Sequence, residues 1–145
     1  MTPVFSPSND TYDKASLSHY CDLLAEREFR IAGIIKKYGY PPFWHREPTF
    51  ESLVMIILEQ QVSLTSAFAV YNRLKDQVGM ITPDRVAHLT DQKFKSCGIS
   101  RQKTSYLRGL AEKIKDRSLD LRLVNSLPTE EIRAELIKLK GIGDW

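Results

Sequence analysis

The sequence predicts an all-α protein, and three observations carry that expectation. Apolar residues recur at three- and four-residue spacing along most of the chain. Hydroxyl and acidic residues stand where those runs begin and can cap a helix. No stretch shows sustained apolar/polar alternation or a hairpin dipeptide between β-branched runs, so strands are not expected and the helices should be joined by short connections.

Length and charge bound the reading. A chain of 145 residues, 42% hydrophobic and 27% charged, can bury one ordinary core. The longest apolar stretch, Leu53 to Leu58, is too short to span a bilayer. The N-terminus has no basic-then-apolar secretory pattern, so a soluble intracellular protein with no membrane partner is expected. Cys21 and Cys97 are too few and too far apart for a zinc knuckle and read as reduced, buried thiols. The net charge of +3 is uneven: it is concentrated between Asp91 and Arg117, while residues 1–60 are slightly acidic. That basic segment either faces an anionic partner such as a phosphate backbone or is a solvated helix face.

Residues 1–13, rich in Pro, Ser, Thr, Asn and Asp, read as a flexible leader, and residues 14–145 as a helical domain. From Lys14 to Tyr38, Leu23, Leu24, Ile31, Ile34 and Ile35 mark one long helix or two short ones, stopped by Gly39 and Pro41-Pro42. Thr49 can cap a helix whose Phe50, Leu53, Val54, Ile57 and Leu58 make a wide core face, interrupted by Glu59-Gln60-Gln61. Ser63 opens another, carrying Ala67, Phe68, Val70, Tyr71 and Leu74 to a stop at Gly79. Thr82-Pro83-Asp84 and Thr90-Asp91 open two short helices. Ser100 caps a longer one with an apolar stripe of Tyr106, Leu107, Leu110 and Ile114, opposed by Arg101, Arg108 and Lys115. Pro128 to Glu131 opens the last, with Ile132, Leu136 and Leu139 inward.

The final residues, Leu139-Lys140-Gly141-Ile142-Gly143-Asp144-Trp145, combine a helix end with two glycines. Such a turn is tight and leaves backbone amides uncovered, which suits either a phosphate nest or a plain helix cap. An aromatic directly after such a turn leaves the hairpin without a second helix, so the sequence is expected to be the N-terminal part of a longer chain, ending within that hairpin.

These residues resemble the hairpin of helix-hairpin-helix DNA-repair proteins, usually Leu-Pro-Gly-Val-Gly, with Lys140 in place of the proline. Ile57-Leu58-Glu59-Gln60-Gln61-Val62-Ser63, Cys97-Gly98-Ile99-Ser100-Arg101-Gln102-Lys103 and Tyr106-Leu107-Arg108-Gly109-Leu110-Ala111 extend the resemblance over about Leu24 to Trp145. In this order and spacing they look most like the 3-methyladenine DNA glycosylase II branch of the superfamily. The resemblance implies a helical bundle of the helix-hairpin-helix glycosylase type, incomplete at its C-terminus.

The implied activity is base excision: a monofunctional glycosylase that flips an alkylated base such as 3-methyladenine out of double-stranded DNA and hydrolyses its N-glycosidic bond. Gln61 matches the side chain that fills the vacated stack, and Gln60 would support the bend; otherwise the two glutamines merely cap helix ends. Gly141, Ile142 and Gly143 would offer amides to a phosphate, and carbonyls near Leu139 and Ile142 would hold a monovalent cation. Trp145 stands where strand-cutting relatives place a Schiff-base lysine. An indole cannot form an imine but can stack on an electron-poor base, so Trp145 is assigned to the base pocket or, failing that, to hairpin packing. Trp44, beside Phe43, is a second pocket residue or a core residue.

The catalytic aspartate of the superfamily lies about one helix beyond the hairpin, so these residues contain no catalytic group and should be inactive alone; Asp144 does not take that role. No organic cofactor is implied. The four clustered cysteines of iron-sulfur relatives have no counterpart here, so no such cluster is expected, and His19, His45 and His88 have no metal-ligand spacing. The competing expectations are a non-enzymatic DNA-binding module and an unrelated helical interaction domain.

Overall fold

A computed structural model of the chain describes residues 13–143. The leader except Asp13, together with Asp144 and Trp145, lies outside the described residues. Among the described residues the structure is all-α, with helices and no strand. The chain divides into two compact units at Arg46 and Glu47.

The first unit holds α1 (Lys14–Arg27) and α2 (Phe29–Tyr38), packed against each other. The periodicity left open one helix or two, and Glu28 decides for two. Its backbone is extended, its N–H closes α1 on the Leu24 carbonyl at 2.9 Å, and its carboxylate accepts the Arg30 N–H at 3.1 Å to open α2. One residue thereby satisfies groups at two helix ends. Asp13, at the edge of the proposed leader, caps α1 in a reciprocal capping box with Ser16. Neither helix buries a residue fully, and Trp44 is 87% exposed.

The second unit contains α3 (Phe50–Glu59), α4 (Leu64–Val78), α5 (Pro83–Ala87), α6 (Asp91–Ser96), α7 (Arg101–Lys115), α8 (Leu121–Asn125) and α9 (Thr129–Leu136). Helix α7 is the hub: α3, α5 and α6 all pack on it, while α4 lies on α3 and α8 on α9. The interior is built from Val54, Ile57, Leu58, Leu74, Val86, Phe94 and Leu107, all but inaccessible to solvent. Thr49, Ser63, Thr82, Thr90 and Ser100 each accept the amide three residues on, as the sequence predicts. Helix α8 was not foreseen. Five residues are too few to show a period, and its signal is local: Asp120 accepts the Arg122 and Leu123 amides, and Val124 turns inward.

The basic stripe of α7 is partly spoken for inside the fold. Arg108 donates to the Leu89 carbonyl at 2.9 Å and to Asp91 at 2.8 Å, and its guanidinium lies over the Phe94 ring. Lys115 pairs with Asp84 at 3.2 Å. Two of the three cations therefore fasten α7 to α5 and α6. Cys97 is buried and Cys21 partly exposed, both as free thiols. Among the described residues no helix is long and apolar enough to cross a membrane.

Candidate nucleic-acid interface

The interface is built around the bend between α3 and α4. Ile57 and Leu58 anchor the end of α3 in the core and Ala67 anchors the start of α4, so the chain must reverse within Gln60 to Ser63. Gln60 leaves helical geometry, and Gln61 completes the reversal at φ +56°, in the left-handed region that glycine tolerates and longer side chains enter at a cost of about 1 kcal/mol. Val62 then donates to the Glu59 carbonyl at 3.4 Å, and Ser63 caps α4. Gln61 is held at the outside of this turn and is exposed. Strain at an exposed polar residue is the kind of outlier that marks a working position.

The bend is held from below by Lys103. Its ammonium donates to the Leu58 carbonyl at 2.7 Å and to the Gln60 carbonyl at 2.8 Å. Carbonyls at a helix C-terminus have no intrahelical partner and carry the negative end of the macrodipole, so a cation is well placed there. Partial burial lowers the Lys103 pKa from the usual lysine value.

The hairpin follows α9. Leu139 is buried, Ile142 donates its N–H to the Leu139 carbonyl at 3.0 Å, and Gly141 sits at φ +95°. A Cβ at Gly141 would overlap the ring of Tyr106, so close approach and backbone conformation both require glycine. Tyr106 is steadied by the Gln102 side-chain amide, 2.6 Å from its hydroxyl. The Gln60 side-chain amide donates to the Gly141 carbonyl at 2.6 Å, joining bend to hairpin.

Gln60, Gln61, Lys103, Tyr106 and Gly141 line one cleft of about 440 Å³, and none of its lining residues is acidic. The structure thus brings together Gln60, Gln61 and Gly141, with Ile142 and Gly143 next along the same hairpin. Of the three amides expected to serve a phosphate, that of Ile142 is already engaged in the turn. Among the described residues those of Gly141 and Gly143 have no acceptor. The Leu139 carbonyl receives the Ile142 amide and keeps a second lone pair. Among the described residues no cluster of three or more His, Cys, Asp or Glu side chains forms a metal site. Trp44 belongs to the first unit, and Trp145 lies outside the described residues.

Sequence reasoning missed Lys103 and Tyr106 as part of the site. Tyr106 passed as one residue of an apolar stripe. Lys103 left a signal: it follows the cap Ser100 by three residues, in a first helical turn where the macrodipole disfavours a cation, which suggests a committed acceptor elsewhere. A larger cavity of about 930 Å³ opens beside α6 and α7, rimmed by Lys95, Arg101, Arg108 and Lys140 together with Asp91 and Glu112, and includes neither Gln60 nor Gln61.

Residues 54–141 match the family model described as "HhH-GPD superfamily base excision DNA repair protein". The chain is 29% identical over 99 residues to endonuclease III of Sulfolobus acidocaldarius, covering 66% of this chain and 43% of that protein. It is 24% identical over 137 residues to a putative DNA-3-methyladenine glycosylase, YfjP, of Bacillus subtilis, covering 89% and 47%. Among solved structures it is similar to a DNA-3-methyladenine glycosidase from Bacillus halodurans, with TM-score 0.67, 28% identity and coverage of 84% and 57%. It is also similar to the Schizosaccharomyces pombe 3-methyladenine DNA glycosylase Mag1 in complex with abasic DNA, with TM-score 0.74, 27% identity and coverage of 87% and 65%. The chain spans about half the length of the curated relatives it matches.

Proposed function

The chain belongs to the HhH-GPD superfamily of base excision DNA repair proteins, and on that premise we propose that it serves a monofunctional glycosylase acting on alkylated bases such as 3-methyladenine in double-stranded DNA. Its described residues supply the grip on DNA and the plug for the emptied stack. The observation that carries this reading is the exposed, positive-φ Gln61 on a bend bonded through Gln60 to the Gly141 hairpin.

Extruding a nucleotide costs a few kcal/mol of stacking and pairing. A planar amide already held outside the bend fills the gap and hydrogen-bonds the orphaned base with little further ordering. The Gly141 and Gly143 amides hold a neighbouring phosphate without reading sequence. Trp145 is assigned to the aromatic surface for the flipped base, whose electron-poor ring favours stacking on an indole. Departure of the base leaves positive charge on the sugar, which a fixed carboxylate must stabilise while water attacks. No residue lining the cleft is acidic, so that carboxylate is not among the groups that line it. No iron-sulfur cluster and no organic cofactor enter this scheme, and its place of action is wherever the cell keeps its DNA.

The test compares this chain and a version extended to the relatives' length on methylated duplex DNA, measuring release of 3-methyladenine, with Gln61→Ala in both. Release by the extended protein, weakened by the substitution, supports the reading. Salt-sensitive DNA binding with no release by the extended protein would make a non-enzymatic DNA-binding module the better account.

A further inference from the structure

Lys103 stands out among the basic residues of α7 because both of its contacts are main-chain carbonyls of one bend, whereas Arg108 and Lys115 each pair with a carboxylate. Arg101 and Lys115 lie at the ends of the helix. Lys103 is partly buried, and its two contacts are both main-chain carbonyls of the bend. One turn further along α7, Tyr106 lies beneath Gly141. Two successive turns of one rigid helix therefore support the two loops that present the plug and the phosphate-binding amides, and the Gln60–Gly141 bond closes the arrangement.

We infer that Lys103 is a positioning residue, which by holding the last carbonyls of α3 fixes Gln61 at the distance from the Gly141 hairpin that a duplex with an extruded nucleotide requires. The inference rests on the proposed role of Gln61. Its physical basis is the strain in the bend. A left-handed glutamine relaxes toward commoner conformations unless its surroundings over-determine it, and the Gln60 carbonyl immediately before it is pinned by a charge-assisted bond. An ammonium suits the task because its donors can reach two carbonyls that face different directions. Two of the three ammonium donors are engaged by carbonyls of the bend, so Lys103 acts on DNA through the bend and not as a phosphate contact.

The experiment compares wild-type chain with Lys103→Met and Lys103→Arg, and Arg101→Met serves as the surface-charge control. Affinity is measured for a duplex carrying a tetrahydrofuran abasic analogue and for the matched intact duplex across a salt series, and amide exchange is followed at Gln60 and Val62. In Lys103→Met the preference for the abasic duplex falls by about tenfold, the salt dependence of binding is unchanged, and exchange at Gln60 and Val62, whose amides close the bend, quickens relative to the core of α7. Lys103→Arg, which keeps donors for both carbonyls, recovers most of the preference. A salt slope reduced by about one with abasic preference intact would instead make Lys103 a phosphate contact and overturn the inference. Unchanged exchange at the bend would also overturn it, whether or not the chain binds DNA. Failure of the wild-type chain to bind either duplex at low salt would sink the proposed function, leaving the exchange measurement to decide the role of Lys103. If Lys103→Met does not fold, Lys103→Gln, shorter and uncharged, carries the same comparison.

Discussion

The side-chain amide of Gln60 reaches across 81 positions of sequence to the carbonyl of Gly141, at 2.6 Å. A donor at that place is required, because the partner is an acceptor. Gln60→Glu should therefore set a carboxylate against a carbonyl and destabilise the second unit by about 1–3 kcal/mol at neutral pH. The protonated carboxyl can donate, so its pKa rises in the folded state above the usual value of about 4.3. Stability is then regained below that value and lost as pH rises through the folded pKa. Urea unfolding at pH 4 and pH 7 checks this, and equal losses at both would contradict it.

Gln61 carries strain that serves no packing purpose. Gln61→Gly should raise stability by up to about 1 kcal/mol, since glycine adopts φ +56° freely. It should also weaken preference for an abasic duplex by about tenfold. A thermal melt paired with a binding titration reads both effects, and a variant that binds as selectively as wild type would remove Gln61 from the plug role.

Gly141→Ala meets both the Tyr106 ring and a left-handed backbone. The cost should be about 2 kcal/mol or more. Adding Tyr106→Ala should return only the steric part, leaving the conformational part measurable in the double variant by denaturant unfolding.

Tyr71 donates a hydrogen bond to Glu51, with Lys75 beside both, tying α4 to α3. That bond to Glu51, followed by burial, raises the Tyr71 pKa above 10. The contribution is fully present below pH 10 and is lost as pH rises through the higher folded value. Tyr71→Phe should therefore be less stable than wild type at pH 8, and the gap should narrow as pH climbs past 10. A gap that widens there would show that the phenol does not hold its proton in the fold.

Arg108 and Arg101 should behave as opposites. Arg108→Ala leaves the Leu89 carbonyl and Asp91 without their donor and uncovers Phe94, costing about 1–3 kcal/mol of stability with little change in the salt slope of DNA binding. Arg101→Ala should leave stability within about 0.5 kcal/mol. Fluorescence titrations over a salt series, alongside thermal melts, separate the two.

The sequence disclosed the helices wherever a hydroxyl cap preceded a long apolar period, as at Thr49, Ser63 and Ser100. It was ambiguous where one residue did two jobs, as Glu28 does between α1 and α2, and silent where the element was too short for a period, as at α8. Gln60, Gln61 and Gly141 were legible because a polar interruption and a glycine turn are local features. Lys103 and Tyr106 were not, since their partners lie 43 to 45 positions away for Lys103 and on another element for Tyr106. Charge counting could not tell which cations of α7 were already paired, because that depends on α5 and α6 docking against it.

The helix caps also sort the molecule by its response to acid. Starts α3 to α7 are closed by hydroxyls, which do not titrate, whereas α1, α2 and α8 are closed by the carboxylates of Asp13, Glu28 and Asp120. The Ser16 amide and hydroxyl hold the Asp13 carboxyl below the ordinary aspartate range, so its hold on α1 persists above that range and fails as pH falls through the lowered value. Acidification should fray the start of α1, where Asp13 loses its charge, and leave the hydroxyl-capped starts of α3, α4 and α7 wound, so the bend and its supporting helix would outlast that first turn in a sour medium.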